Sequence, residues 1–139
     1  MSPQLLERPS RAGAPVPASA LELLDRCTDG LVRAARCDDA GERFVAAHLA
    51  ALRAAAAVLA VRGRPKRRSG ALNVWQVLPR VAPELGEWAG FFAAGASRRS
   101  AIEAGRRHVV TTREADDLLR DATAFAAIVA EDLGVLPAP

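Results

Sequence analysis

Residues 44–61 read FVAAHLAALRAAAAVLAV, and only His48 and Arg53 interrupt their apolar character. A run this rich in Ala and Leu is a strong helix former. Phe44, His48, Leu52, Ala55 and Leu59 fall on one line of that helix, and Val45, Leu49 and Ala56 widen it. The opposite side is mostly alanine, which lets a second helix approach closely. A helix apolar on two sides belongs at the centre of a bundle or in a dimer interface. The spacing sets its limits at about 40–62, with Asp38 or Asp39 as the cap.

The rest of the chain supplies partners for it. Leu21, Leu24, Thr28, Leu31 and Ala35 keep 3-4 spacing and predict a first helix over 19–36, weakened at Gly30. Asn73 followed by Gln76 has the form of a capping box. Trp75, Leu78, Ala82, Leu85, Ala89 and Phe92 continue a third helix to about residue 94, which Pro79 and Pro83 must kink or split. Gly95 is expected to end it, with a short helix over 97–104 stopping at Gly105. Thr111 and Glu114 form a second capping box, preceded by Val110. It opens a last helix with the core line Leu118, Ala122, Phe125 and Val129, closed by Gly134. No stretch alternates with period two, tyrosine is absent and aromatics make up only 4%. The fold class is therefore all-α, an up-and-down bundle of four to five helices in one domain over 19–134. Residues 1–18 form a Pro-rich tail expected to be disordered, and 135–139 a second tail.

The charge is unevenly placed. The net charge is +3, yet the segment RGRPKRR alone carries Arg62, Arg64, Lys66, Arg67 and Arg68 and no acid. It lies in a basic, Gly- and Pro-containing loop over 62–72. Five cations in seven residues suit a polyanion such as RNA, with salt-sensitive and sequence-blind affinity. Without interleaved aromatics the loop does not suit base stacking, and its plainer reading is a solvated surface loop. Lys66 is the one lysine, and Arg richness beside so much Ala points to a GC-rich genome rather than to RNA by itself. A second basic cluster comprises Arg98, Arg99, Arg106, Arg107 and His108; it reads as phosphate binding or as a solvated helix end.

Several chemistries lack their residues. Cys27 and Cys37 do not form a CxxC pair, and no Cys/His cluster completes a metal site. They are expected as free thiols in a reducing cytoplasm. GxGxxG, GxxxxGK[ST] and HExxH motifs are absent, so no cofactor and no metal are expected. No apolar run reaches the length of a membrane span without a charge or a proline, which sets a cytoplasmic, membrane-free expectation. Asp116 and Asp117 are adjacent on a helix and point about 100° apart, so they form a salt-bridged face with Arg113 and Arg120 rather than a catalytic pair.

Three stretches together, RFVAAHLAALRAAAAVLA, WQVLPRVAPELGEWAGFFAAGA and READDLLRDATAFAAIVAEDLG, resemble the small stand-alone actinobacterial branch of the HEPN (higher eukaryotes and prokaryotes nucleotide-binding) family. The resemblance spans roughly 19–134. It implies a HEPN-like helical bundle, commonly a homodimer. It also implies a superfamily holding both metal-independent ribonucleases and non-catalytic members that bind nucleotides or partner proteins. Catalytic members carry an Arg, four to six residues and a His; the Arg binds phosphate and the His acts in cleavage through the RNA 2′-hydroxyl. Arg43 and His48 match that spacing, but on the second helix, with Phe44 where a polar residue is usual, and the last helix contains no His.

Five helical positions turn through about 140°, so Arg43 and His48 do not share a face within one chain. His48 falls on the apolar line between Phe44 and Leu52, as a buried structural histidine would. The expected function is a non-catalytic nucleic-acid- or nucleotide-associated binding module. A ribonuclease using Arg43 and His48 is the alternative, and a regulatory bundle that binds a protein partner is the third reading.

Overall fold

The computed structural model describes residues 15–63, 73–106 and 108–135. Among these residues five α-helices follow in order: α1 (Ala18–Arg36), α2 (Ala40–Arg62), α3 (Val74–Val81), α4 (Gly86–Glu103) and α5 (Thr112–Asp132). A single 3-10 turn, Pro83–Leu85, joins α3 to α4. Among the described residues there is no strand, and the chain is the expected all-α bundle.

α2 is the axis of the molecule, and every other helix packs on it. Ala47, Ala50, Ala51, Ala54, Ala55 and Ala57 are all fully buried, along with Val58 and His48. By length and hydropathy α2 could cross a membrane, but its apolar surface is largely covered by the other helices. Asp39 caps it, its carboxylate accepting from the Glu42 amide at 2.9 Å. Gly30 is no weak point, for it is buried where α1 crosses α2. A Cβ there would stand 3.3 Å from the Ala50 Cβ.

That close crossing rotates α1 relative to the periodicity. Its buried residues are Ala20, Cys27, Gly30 and Ala34, whereas Leu21, Thr28 and Ala35 face outward. An alanine surface is best matched by other small side chains, so size overrides hydrophobicity in choosing the buried face.

The two capping boxes form as expected, at Asn73–Gln76 and Thr111–Glu114, with Val110 buried behind the second. Pro79 lies inside α3 and Pro83 opens the 3-10 turn, so the third segment is split. Gly95 does not end it. α4 runs unbroken to Glu103, and the left-handed residue that stops it is Gly105, at φ +101°. The Arg106 amide then reaches back to the Ala101 carbonyl at 2.9 Å. Gly134, at φ +75°, closes α5 with the matching bond from Val135 to Ala130 at 2.8 Å.

Trp75, Trp88, Phe92 and Phe125 form one aromatic cluster with neighbouring ring centroids 5.2–6.2 Å apart. It fills the space beneath α3, α4 and α5. Residues 1–14, most of the basic loop and residues 136–139 lie outside the described residues.

Candidate functional site

Arg43 leaves the first turn of α2 and turns back towards the end of α1. Its Nε donates to the Ala34 carbonyl at 3.0 Å, and its terminal nitrogens donate to the Cys37 carbonyl and to Asp116 of α5. It therefore adds a bond to the Ala34 carbonyl, which the Cys37 amide already reaches, and meets the Cys37 carbonyl at the C-terminus of α1, where a cation is favoured.

His48 goes elsewhere. Its ring is fully buried, against Phe44 at 6.3 Å, Trp75 at 6.0 Å and Phe92 at 6.2 Å between centroids. Nε2 lies 2.8 Å from the Phe92 carbonyl, and a carbonyl can only accept, so Nε2 carries the proton. Nδ1 then accepts from the Arg99 guanidinium at 3.3 Å. Both ring nitrogens are used and the ring is neutral. Burial holds its pKa below the ordinary histidine value and the Arg99 charge acts the same way, while the Phe92 hydrogen bond and Glu103 oppose them. Gly95 explains how α4 comes so near: a Cβ there would sit 3.4 Å from His48 Cδ2.

The Arg-x4-His spacing thus resolves into two separate contacts. The partners that define them, Arg99 and Asp116, lie far along the chain and carry no local signal. Asp116 pairs with Arg43 rather than Arg120, which instead meets Asp117 at 3.2 Å; the expected Arg113–Asp117 pair forms at 4.0 Å.

Arg62 is the one member of the basic segment among the described residues. It ends α2, donates to the Val81 carbonyl at 3.1 Å, and pairs with Glu84 and with Asp132 at 2.9 Å. Its charge is compensated inside the fold, so it is a fastening for the ends of α2, α3 and α5. Arg64, Lys66, Arg67 and Arg68 lie outside the described residues. The second basic cluster is also divided: Arg98 pairs with Glu114 at 3.3 Å, while Arg99 serves His48 and Glu103. Arg106 and His108 are exposed.

The remaining reactive groups are quiet. Burial pushes the Cys27 thiol up to about 11 against the pull of Arg53, so it is not a thiolate at neutral pH. Among the described residues no three His, Cys, Asp or Glu side chains gather as a metal site.

A family model described as SAV_6107-like HEPN matches residues 34–130, from the end of α1 almost to the end of α5. The chain belongs to the HEPN family. No match is found among the curated proteins or among the solved structures. In this HEPN bundle the match takes in Arg43, His48, Arg99 and Asp116 alike.

Proposed function

We propose that this chain is a non-catalytic HEPN bundle that binds nucleic acid through its basic segment. One observation carries the reading against catalysis: His48 is fully buried with both ring nitrogens engaged by Phe92 and Arg99. A general acid or base must reach the proton it transfers. Arg43, engaged by Ala34, Cys37 and Asp116, is likewise occupied.

The binding half of the reading rests on the sequence. The cations of residues 62–68 exceed the net charge of the whole chain. With Arg62 held inside the fold, the proposed contacts fall to Arg64, Lys66, Arg67 and Arg68. Their affinity for RNA or DNA comes from phosphate neutralisation and falls with salt.

The test has two arms. Filter binding of an RNA oligonucleotide at rising salt should show retention that the triple variant Arg64→Ala, Arg67→Ala, Arg68→Ala loses. Retention unchanged in that variant removes the segment from the function. Incubation of the same RNA with EDTA should leave it intact. Cleavage that disappears in a folded His48→Gln variant would restore the ribonuclease alternative.

A further inference from the structure

α1 and α5 lie against each other and leave a groove of about 640 Å³ between them. Leu24, Ala126, Ala127, Ala130 and Val135 give it an apolar floor. Its polar side chains are acceptors. Asp25 and Asp29 stand exposed one helical turn apart on α1, and neither is in an ion pair among the described residues. Carboxylates at this spacing repel each other, so a cation beside them is favoured. Thr28 and Thr123 also line the groove, and each uses its one hydroxyl proton within its own helix, on the Leu24 carbonyl at 3.1 Å and the Leu119 carbonyl at 2.8 Å. No basic side chain lines it. The groove between α4 and α5 differs, because Arg98 and Arg120 bring counter-charges of their own. An apolar floor with two unpaired carboxylates and no N–H or O–H proton to offer fits an occupant that carries guanidinium groups.

The chain itself holds such an occupant close by. The described residues begin at Pro15, Val16 packs on the core, and the Pro17 carbonyl accepts from the Ala20 and Leu21 amides at 3.0 and 3.1 Å. The preceding residues therefore join at the first turn of α1. Residues 5–11 read LLERPSR, two leucines and two cations against one acid. Pro9 bars a helix there but suits an extended strap. Turning back from Val16 at about 3.3 Å per residue, Arg11 reaches about 16 Å and Arg8 about 26 Å. Along α1, at about 1.5 Å per residue, Asp25 lies about 10 Å and Asp29 about 16 Å from Ala18. Both arginines have the reach, the nearer for the nearer carboxylate, and Leu5 and Leu6 remain for the alanines of α5.

We propose that residues 5–11 fold back into the groove between α1 and α5, with Arg11 on Asp25, Arg8 on Asp29, and Leu5 and Leu6 over Ala126 and Ala127. Exposed ion pairs contribute little singly. Tethering supplies what they lack, since a linked segment meets its site at high effective concentration. The strap occupies a face that a foreign basic peptide would otherwise take. The family match begins at residue 34, so both the strap and the α1 wall of the groove lie outside it. The inference is independent of nucleic-acid binding, and its test uses no nucleic acid.

Hydrogen exchange of the full chain, read amide by amide by nuclear magnetic resonance, tests it. The amides of Leu5, Leu6, Arg8, Ser10 and Arg11 should exchange at least about fivefold more slowly than the same sequence does in an unstructured chain, as expected for a strap docked about four-fifths of the time. Asp25→Arg with Asp29→Arg should abolish that protection, and so should Arg8→Asp with Arg11→Asp. All four changes together should restore it. Leu5→Ser with Leu6→Ser should lower it, and Arg113→Glu, at the other end of α5, should leave it intact. The replaced residues lie outside the core, and circular dichroism confirms the helical fold of each variant. Exchange at the unstructured rate in the wild type overturns the inference. Protection that survives Asp25→Arg with Asp29→Arg overturns it as well, because the strap then lies elsewhere.

Discussion

At the scale of single residues, His48 shows how a polar group can hold a core together. Among the described residues it is the one buried polar side chain, and it joins α2 to two points of α4. Replacing it with Ala leaves a cavity and leaves the Arg99 donor unmet, so a loss of roughly 2–4 kcal/mol is expected in urea unfolding. Its protonation has a definite sign. The folded pKa lies below the ordinary value of 6.5, so the unfolded chain takes up the proton first as pH falls. Stability should be full above pH 6.5 and decline below it, towards the folded pKa, by at most about 1.4 kcal/mol per pH unit for one proton. Unfolding curves of the wild type and His48→Leu between pH 7.5 and 5.5 check this; an equal slope in both would contradict the assignment. The position of His48 on an apolar line was legible from spacing alone. Its partner Arg99 was not, because 51 positions separate the two and no local pattern links them.

At the scale of helices, what the sequence revealed was whatever depends on neighbours a few residues apart. Both capping boxes, the left-handed closure at Gly134 and the split at the prolines are of this kind. Thr111→Ala should cost about 1 kcal/mol, read as a lowered thermal midpoint. Rotation and continuity were harder to read. α1 turned its small residues inward because the surface it meets is alanine, and α4 passed through Gly95 because tertiary contact holds that helix together. Two glycines make the difference measurable. Gly90 has open space around a built Cβ, so Gly90→Ala should stabilise by about 0.5–1 kcal/mol through helix propensity. Gly30 faces Ala50 at 3.3 Å, and an alanine Cβ cannot swing away. Gly30→Ala should therefore push α1 from α2 and destabilise by about 1 kcal/mol or more. Equal signs for the two would refute the packing argument.

At the scale of the whole molecule, Arg62 separates fold from function within one basic segment. Arg62→Ala should lower the thermal midpoint by several degrees, since it releases the ends of three helices at once, roughly 1–3 kcal/mol. RNA retention by the folded variant should stay near that of the wild type. The reverse pattern would return Arg62 to the nucleic-acid surface. Charge composition marked the whole of 62–68 as one unit, and only the long-range placement of Glu84 and Asp132 divides it. The buried alanines of α2 carry a consequence for how this chain can change over time. Each is fully enclosed, so a side chain even one methylene larger has nowhere to go without moving a neighbouring helix. In a saturation library these positions should tolerate little beyond Gly, while the leucine and valine facing outward from α1, Leu21 and Val32, should vary freely. The smallest side chains are thus the least exchangeable letters in this sequence.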